Sequence, residues 1–200
     1  MIEIFDLPQG TPEWFACRRG IVTASRLKDV LAGGRGKTRR TYMLTLIGER
    51  LTGEVQEGYT NAHMERGHVM EEEARVLYEF QQDVEVEQTG FVRNEFAGVP
   101  VGCSPDGLVG ENGLIEIKSK LPHLQLDVLL RGEMPSEHKA QVQGQLWICE
   151  RDWCDFASFW PRLPLFVKRI YRDEKYIKEL QEAVEKFWNE LLETEAKICK

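Results

Sequence analysis

The order of hydrophobic patterns along the chain predicts a mixed α/β (α+β) domain, a central mixed β-sheet flanked by α-helices. Two observations carry this. Apolar residues recur at helical spacing through the first eighty residues and again at 138–149 and 173–197. Between them, runs rich in Val, Ile, Phe and Leu at 84–92, 99–104, 114–118, 154–160 and 165–171 read as strands. There is no internal repeat, low-complexity tract or linker-like break, so residues 1–200 read as one domain.

Each element has local support. In "TPEWFACRRG" Thr11 is placed to cap a short helix with Pro12 at its first position. "TASRLKDVLAGG" reads as a second helix, capped around Thr23 and stopped at Gly33-Gly34. Residues 41–52 and 64–82 are further helices by apolar periodicity. In the last helix Ile177, Leu180, Val184, Phe187 and Leu191 form a stripe that should bury against the helix's own domain.

Composition excludes several classes. At 42% hydrophobic, two hundred residues suffice for a real core. No window approaches twenty apolar residues, and the N-terminus lacks a basic-then-apolar leader, so a soluble, unexported, cytoplasmic protein with no membrane partner is expected. Five scattered cysteines without a C-x-x-C pair argue against a disulfide framework, a zinc ribbon or an iron–sulfur cluster. The net charge is −7, but it is segregated: residues 18–40 hold eight basic residues against one acid, Asp29. A phosphate-binding face on an acidic body would look like this, and so would a solvated basic loop.

The stretch "GCSPDGLVGENGLIEIKSK", residues 102–120, carries the chemistry. Alternation puts Leu114, Glu116 and Lys118 on one face of a strand and Ile115 and Ile117 on the other. Asn112-Gly113 supplies a turn, which brings Asp106 across the hairpin towards Glu116. Two converging carboxylates suit Mg²⁺, a hard cation that takes oxygen ligands, and a neighbouring ammonium suits phosphoryl transfer. The plain alternative is a salt bridge on a wet face. Upstream, "EEEAR" offers Glu71, Glu72 and Glu73. Taking Met70, Ala74, Leu77 and Gln81 as the inward stripe, Glu72 points away, while Glu71 and Glu73 lie at opposite edges. Arg18 and Ser25, in "RRGIVTASRL", would gather a guanidinium, hydroxyls and free N–H groups into an anion site, although ordinary capping explains the hydroxyls.

Five blocks, "EWFACRRGIVTAS", "MERGHVMEEEARVLYEF", "GCSPDGLV", "LIEIKSK" and "AQVQGQLWI", resemble in order and spacing those of the phage lambda exonuclease family, YqaJ-like viral recombinases with the PD-(D/E)xK nuclease fold. The likeness runs from about residue 10 to the last helix. It implies a restriction-endonuclease-like core and a Mg²⁺-dependent exonuclease. Such an enzyme uses one or two ions, with Mn²⁺ as a substitute, and degrades one strand of linear duplex DNA from its 5′ end to mononucleotides. The 3′ overhang then serves a single-strand annealing protein in recombination. The family forms a ring-shaped homotrimer around DNA, in the bacterial cytoplasm under phage or prophage genes.

By the same resemblance Asp106, Glu116 and the Ile117 carbonyl look like metal ligands, with Glu71 as the upstream glutamate. Lys118 looks like the catalytic lysine, and Gln143 like the glutamine of the helix beside the active site. Arg18, Ser25 and Ser104 match positions that hold the 5′-phosphate, Arg35 a loop residue that reaches into the duplex, and Met64 an apolar wedge that parts the strands. The rivals are another nuclease of this fold (a restriction-type endonuclease, or a RecB- or Cas4-like nuclease) and a non-catalytic DNA-end-binding protein. The missing four-cysteine cluster weighs against the Cas4-like version.

Overall fold

The computed structural model describes residues 1–32, 37–55 and 62–199. Along the chain these form β1 (Glu3–Phe5), α1 (Pro12–Arg18), β2 (Val22–Thr23), a 3₁₀ turn (Ala24–Arg26), α2 (Leu27–Leu31), α3 (Lys37–Thr52) and α4 (Ala62–Gln82). Then come β3 (Val86–Glu87), β4 (Phe91–Phe96), β5 (Val99–Cys103), β6 (Gly107–Val109), β7 (Gly113–Ser119) and α5 (Pro122–Arg131). A second 3₁₀ turn (Ser136–His138), α6 (Lys139–Ile148), β8 (Trp153–Phe159), β9 (Phe166–Tyr171) and α7 (Glu174–Ile198) complete the order.

The strands form two sheets rather than one. A four-stranded sheet runs β1-β4-β5-β2 and a five-stranded sheet β3-β6-β7-β8-β9. Pairing is antiparallel except at β2–β5 and β7–β8. The single strand expected over 84–92 is broken before Gly90, so that β3 joins one sheet and β4 the other. A Cβ on Gly90 would lie 2.1 Å from the Leu7 carbonyl oxygen, so glycine is what lets the N-terminal segment cross the break.

β7 is the central strand, and both its faces are covered. Ile115 and Ile117 pack with Met70, Ala74 and Tyr78 of α4. Leu114, on the opposite face, joins the larger core with Leu146 of α6 and Phe187 of α7. The α7 stripe foreseen from spacing is fully buried, Ile177, Leu180, Val184, Phe187 and Leu191 being 0–1% exposed. Thr11 caps α1 by accepting from the Trp14 N–H at 3.3 Å, with Pro12 at its first position. Thr23, in contrast, makes no cap bond: the 3₁₀ turn intervenes, and α2 begins only at Leu27. All five thiols are free, and Cys103 and Cys149 approach to 3.4 Å within the core. No helix among the described residues is long and apolar enough to cross a membrane.

Three short strands and one α-helix escaped the sequence reading. β1, β2 and β6 are only two or three residues long, too short to show a period. α5 starts with Pro122 and ends at Gly132 with φ 65°, but its alternating leucines mimic a strand, and Leu124, Leu126 and Leu130 stay exposed. Its buried side is held instead by Gln125, whose amide donates to the Ser158 and Pro164 carbonyls, each at 2.9 Å.

Candidate active site

The β6–β7 hairpin sets the geometry. Gly107 pairs with Ile115, so Asp106 stands at the level of Glu116 across the hairpin. The register is locked by Asp106 itself, whose Oδ2 accepts from the Ile117 N–H at 2.6 Å. Alternation along β7 turns Glu116 and Lys118 to one side, where Lys118 Nζ lies 2.5 Å from Glu116 Oε1.

This is not a wet face. Glu116 is 1% exposed, because α6 lies over it. Gln141 Nε2 donates to Glu116 Oε1 at 2.6 Å and Gln145 Nε2 to Oε2 at 2.5 Å. Gly144 allows the close packing of α6: a Cβ there would meet Leu27 Cδ1 at 2.2 Å. Gln143, expected beside the site, is a correction. Two residues along a helix turn a side chain by about 200°, so Gln143 faces away from Glu116. It donates to the Tyr171 carbonyl and accepts from the Asp173 N–H, both at 2.9 Å. Gln141 and Gln145, spaced i and i+4, are the pair that reaches the carboxylate.

Glu71 approaches from α4. The buried side of that helix is Met70, Ala74 and Tyr78, whereas Leu77 is 39% exposed and Gln81 is also exposed. The inward stripe is thus rotated from the one periodicity suggested, towards the edge that carries Glu71. A phenol anchors the rotation: Tyr78 OH donates to Asp155 Oδ2 at 2.7 Å, and Arg169 clamps the same carboxylate at 2.8 and 2.9 Å. Glu71 and Asp106 line a cavity of about 340 Å³ bordered also by Asp6, Glu72, Arg75 and Gly90.

The charges in this cluster are mutually dependent. Burial, then Glu116 and Glu71, push the Asp106 carboxyl well above the usual range, against Lys118 and the Ile117 N–H. Burial pulls Lys118 down, but Glu116, Asp106 and Glu71 outweigh it and leave its pKa raised. Carboxylates that repel one another across a partly dry site are a fit for a divalent cation, and all the donors are hard oxygens. Among the described residues no three Asp, Glu, His or Cys side chains close on one point. A cation held by Asp106 and Glu116 would therefore draw remaining ligands from the backbone, water or substrate.

A second cluster surrounds Trp14. The Arg18 guanidinium stacks 3.8 Å from its ring centroid, one helical turn along α1. The indole N–H points to both Ser104 Oγ and the Gly90 carbonyl, each at 3.1 Å. Trp14 thus ties Arg18 to the strand end three residues before Gly107, and the i, i+4 pairing on α1 was the signal that could have found it. Ser25 lies exposed in the 3₁₀ turn with Thr23 Oγ1 3.5 Å from its hydroxyl. The turn is pinned by Tyr42, whose OH accepts from the Thr23 N–H at 3.1 Å and whose pKa burial pushes up. Arg35 and the Met64 side chain lie outside the described residues.

A family model described as a YqaJ-like viral recombinase domain matches residues 13–152. The crystal structure of the alkaline exonuclease LHK-Exo from Laribacter hongkongensis is 39% identical over 94% of this chain and 96% of that chain, with a TM-score of 0.84. The same protein in complex with dAMP gives a TM-score of 0.86. A phage-related exonuclease from Haemophilus somnus 129PT shares the fold at 18% identity, over 87% of this chain and 96% of that one, with a TM-score of 0.60. No curated protein matches. The two mixed sheets flanked by helices are those of the PD-(D/E)xK exonucleases, and the chain belongs to the YqaJ-like viral recombinase family.

Proposed function

We propose that this protein is a Mg²⁺-dependent 5′-to-3′ exonuclease of linear double-stranded DNA. It releases mononucleotides from one strand and leaves a 3′ overhang for single-strand-annealing recombination. The observation that carries the reading is the convergence of Asp106, Glu116 and Lys118 at the end of one hairpin, in a chain of this family. Asp106, Glu116 and the Ile117 carbonyl would hold the metal, with Glu71 across the cavity as a further ligand to one ion or a second. Bound there, Mg²⁺ (or Mn²⁺) would supply a water of lowered pKa and offset charge on the scissile phosphate.

Lys118 then has a defined part. The carboxylates are what raise its pKa, while burial alone would lower it. When their charge is offset, desolvation dominates and the ammonium gives up its proton more readily, so Lys118 is suited to take a proton from the attacking water. Arg18, Ser104 and Ser25 would receive the terminal 5′-phosphate, with Trp14 holding Arg18 and Ser104 together. A pocket filled only by a phosphorylated end gives direction, because it sets the next bond beside Glu116. A homotrimeric ring around the duplex, a single-strand annealing partner and action in the cytoplasm of a phage-bearing bacterium belong to the same reading. In it Arg35 reaches into the duplex and Met64 parts the strands.

The test is digestion of linear duplexes bearing 5′-phosphate or 5′-hydroxyl ends in Mg²⁺, with covalently closed circles alongside. The phosphorylated linear substrate should be degraded fastest and the circles left intact. Arg18→Ala should erase the preference for phosphate. Lys118→Ala should lower the rate by roughly 10²–10⁴-fold, the usual range for a general acid or base. Cut circles would indicate an endonuclease, equal rates on both ends would remove the phosphate pocket, and full activity in Lys118→Ala would overturn the catalytic assignment.

A further inference from the structure

The two oxygens of the Glu116 carboxylate are held unequally. Oε1 meets both Lys118 Nζ and Gln141 Nε2, at 2.5 and 2.6 Å. Oε2 meets Gln145 Nε2, at 2.5 Å. Gln145 is itself 1% exposed, and its carbonyl oxygen has no hydrogen-bond partner among the described residues. Turning the amide over would set that oxygen against a carboxylate, so charge dictates the orientation observed. A buried carbonyl left unpaired costs free energy, and a methionine or leucine in the same space would avoid the cost. An arrangement that breaks a local packing rule points to what the other half of the group does. Here that is the N–H on Oε2.

We infer that Gln145 is a positioning residue of the metal site, holding the Glu116 carboxylate in one orientation so that it meets a divalent cation without reorganising. The inference rests on the proposed function in taking Glu116 as a ligand. Its physical basis is orientation. A glutamate has three side-chain torsions, and the last is broad and only weakly restrained by itself. With a donor on each oxygen the plane of the carboxylate is set, as hydrogen-bonded outer partners set ligating carboxylates in metal sites generally. Gln141 does not duplicate this. It is half-buried and shares Oε1 with Lys118, so its loss leaves that oxygen paired.

Isothermal titration calorimetry of metal-free protein with MnCl₂ tests this, comparing the wild type with Gln145→Met, which keeps length and volume and removes the donor. Gln145→Asn, whose amide falls short of Glu116, serves as the second variant should the first not fold. The expected result is Mn²⁺ binding weaker by about 10-fold or more, in the range that loss of an outer partner causes. In the digestion assay the Mg²⁺ concentration for half-maximal rate should rise by a similar factor, while the rate at saturating Mg²⁺ falls less. Wild-type Mn²⁺ affinity in a folded variant overturns the inference, as does a rate reduced at every Mg²⁺ concentration with unchanged half-saturation. If the wild type itself binds no Mn²⁺, the metal-dependent reading of the site fails first, and the inference with it.

Discussion

His138 offers a prediction whose size follows from its surroundings. Its side chain is 14% exposed, stacks on Phe156 with centroids 5.3 Å apart, and places Nε2 2.8 Å from Lys120 Nζ. The same nitrogen lies 3.3 Å from Glu137 Oε1, which would be an ion pair only if the ring were charged. It is not charged at neutral pH. Burial, then Lys120 and Lys118, push its pKa from 6.5 down to about 4, so Nε2 uses its lone pair to accept from the Lys120 ammonium. Between those two values the unfolded chain binds the proton and the folded one does not, so stability is present above pH 6.5 and is lost as pH falls towards 4. The whole shift corresponds to about 3 kcal/mol, of which about 2 kcal/mol falls between pH 7 and pH 5.

His138→Phe keeps the stack and removes the titration. Urea unfolding at pH 7 and pH 5 gives the loss of stability on acidification for each protein, and the difference between the two losses isolates His138 from every other titrating group. The variant should lose about 2 kcal/mol less than the wild type between the two pH values. At pH 7 it should be the weaker protein, by about 1 kcal/mol for the lost hydrogen bond. Equal losses on acidification would refute a neutral, buried His138. The consequence reaches the site, since Phe156 is the register partner of Glu116 and an added charge at His138 would sit among Lys118, Lys120 and Lys28.

Three further outcomes follow from the same structure. Tyr78→Phe removes the phenol that fixes α4 on Asp155; a hydrogen bond to a charged partner is worth about 2 kcal/mol, so the melting midpoint should drop by roughly 4–8 °C. An unchanged midpoint would mean that α4 is held by packing alone. Asp106→Asn should stabilise the protein in EDTA at pH 8, because a carboxyl whose folded pKa is raised contributes stability below its unfolded pKa of about 3.9 and loses it as pH rises. Thermal melts should show the gain shrinking towards pH 4; a gain independent of pH would point to a cause other than ionisation. Gln143→Leu should cost about 1–3 kcal/mol by stripping the Tyr171 carbonyl and the Asp173 N–H of their partner, yet leave Mn²⁺ affinity unchanged in calorimetry.

Much of the hairpin was legible because a strand has one period. Alternation alone puts Glu116 beside Lys118, and a short turn brings Asp106 level with them, so the structure alters neither relation. The chain does not say what covers that face. A strand buried on both sides has no polar side to mark it, and "LIEIK" reads equally as a wet edge or as the dry centre of a sheet. Only the docking of α6 decides between them.

α6 shows why helices were harder to phase. Its positions 142–148 are buried without interruption, so the three glutamines at 141, 143 and 145 carry no amphipathic phase to show which of them faces β7. Sequence similarity to the family supplied a block without an orientation, and the choice of Gln143 was wrong by half a turn. α4 failed in the milder way. Its outer face carries Val69, Val76 and Phe80, 59–86% exposed, and Leu77 is itself 39% exposed, so hydrophobicity there does not mark burial, and a stripe drawn through Leu77 missed Tyr78. In both helices the discriminating groups are polar ones that reach across to the central sheet: Gln141 and Gln145 to Glu116, Tyr78 to Asp155. Hydrophobic spacing reports where a chain is dry. Which side of a dry helix faces the chemistry is set by hydrogen bonds between residues tens of positions apart, and these exist only once the sheet has formed.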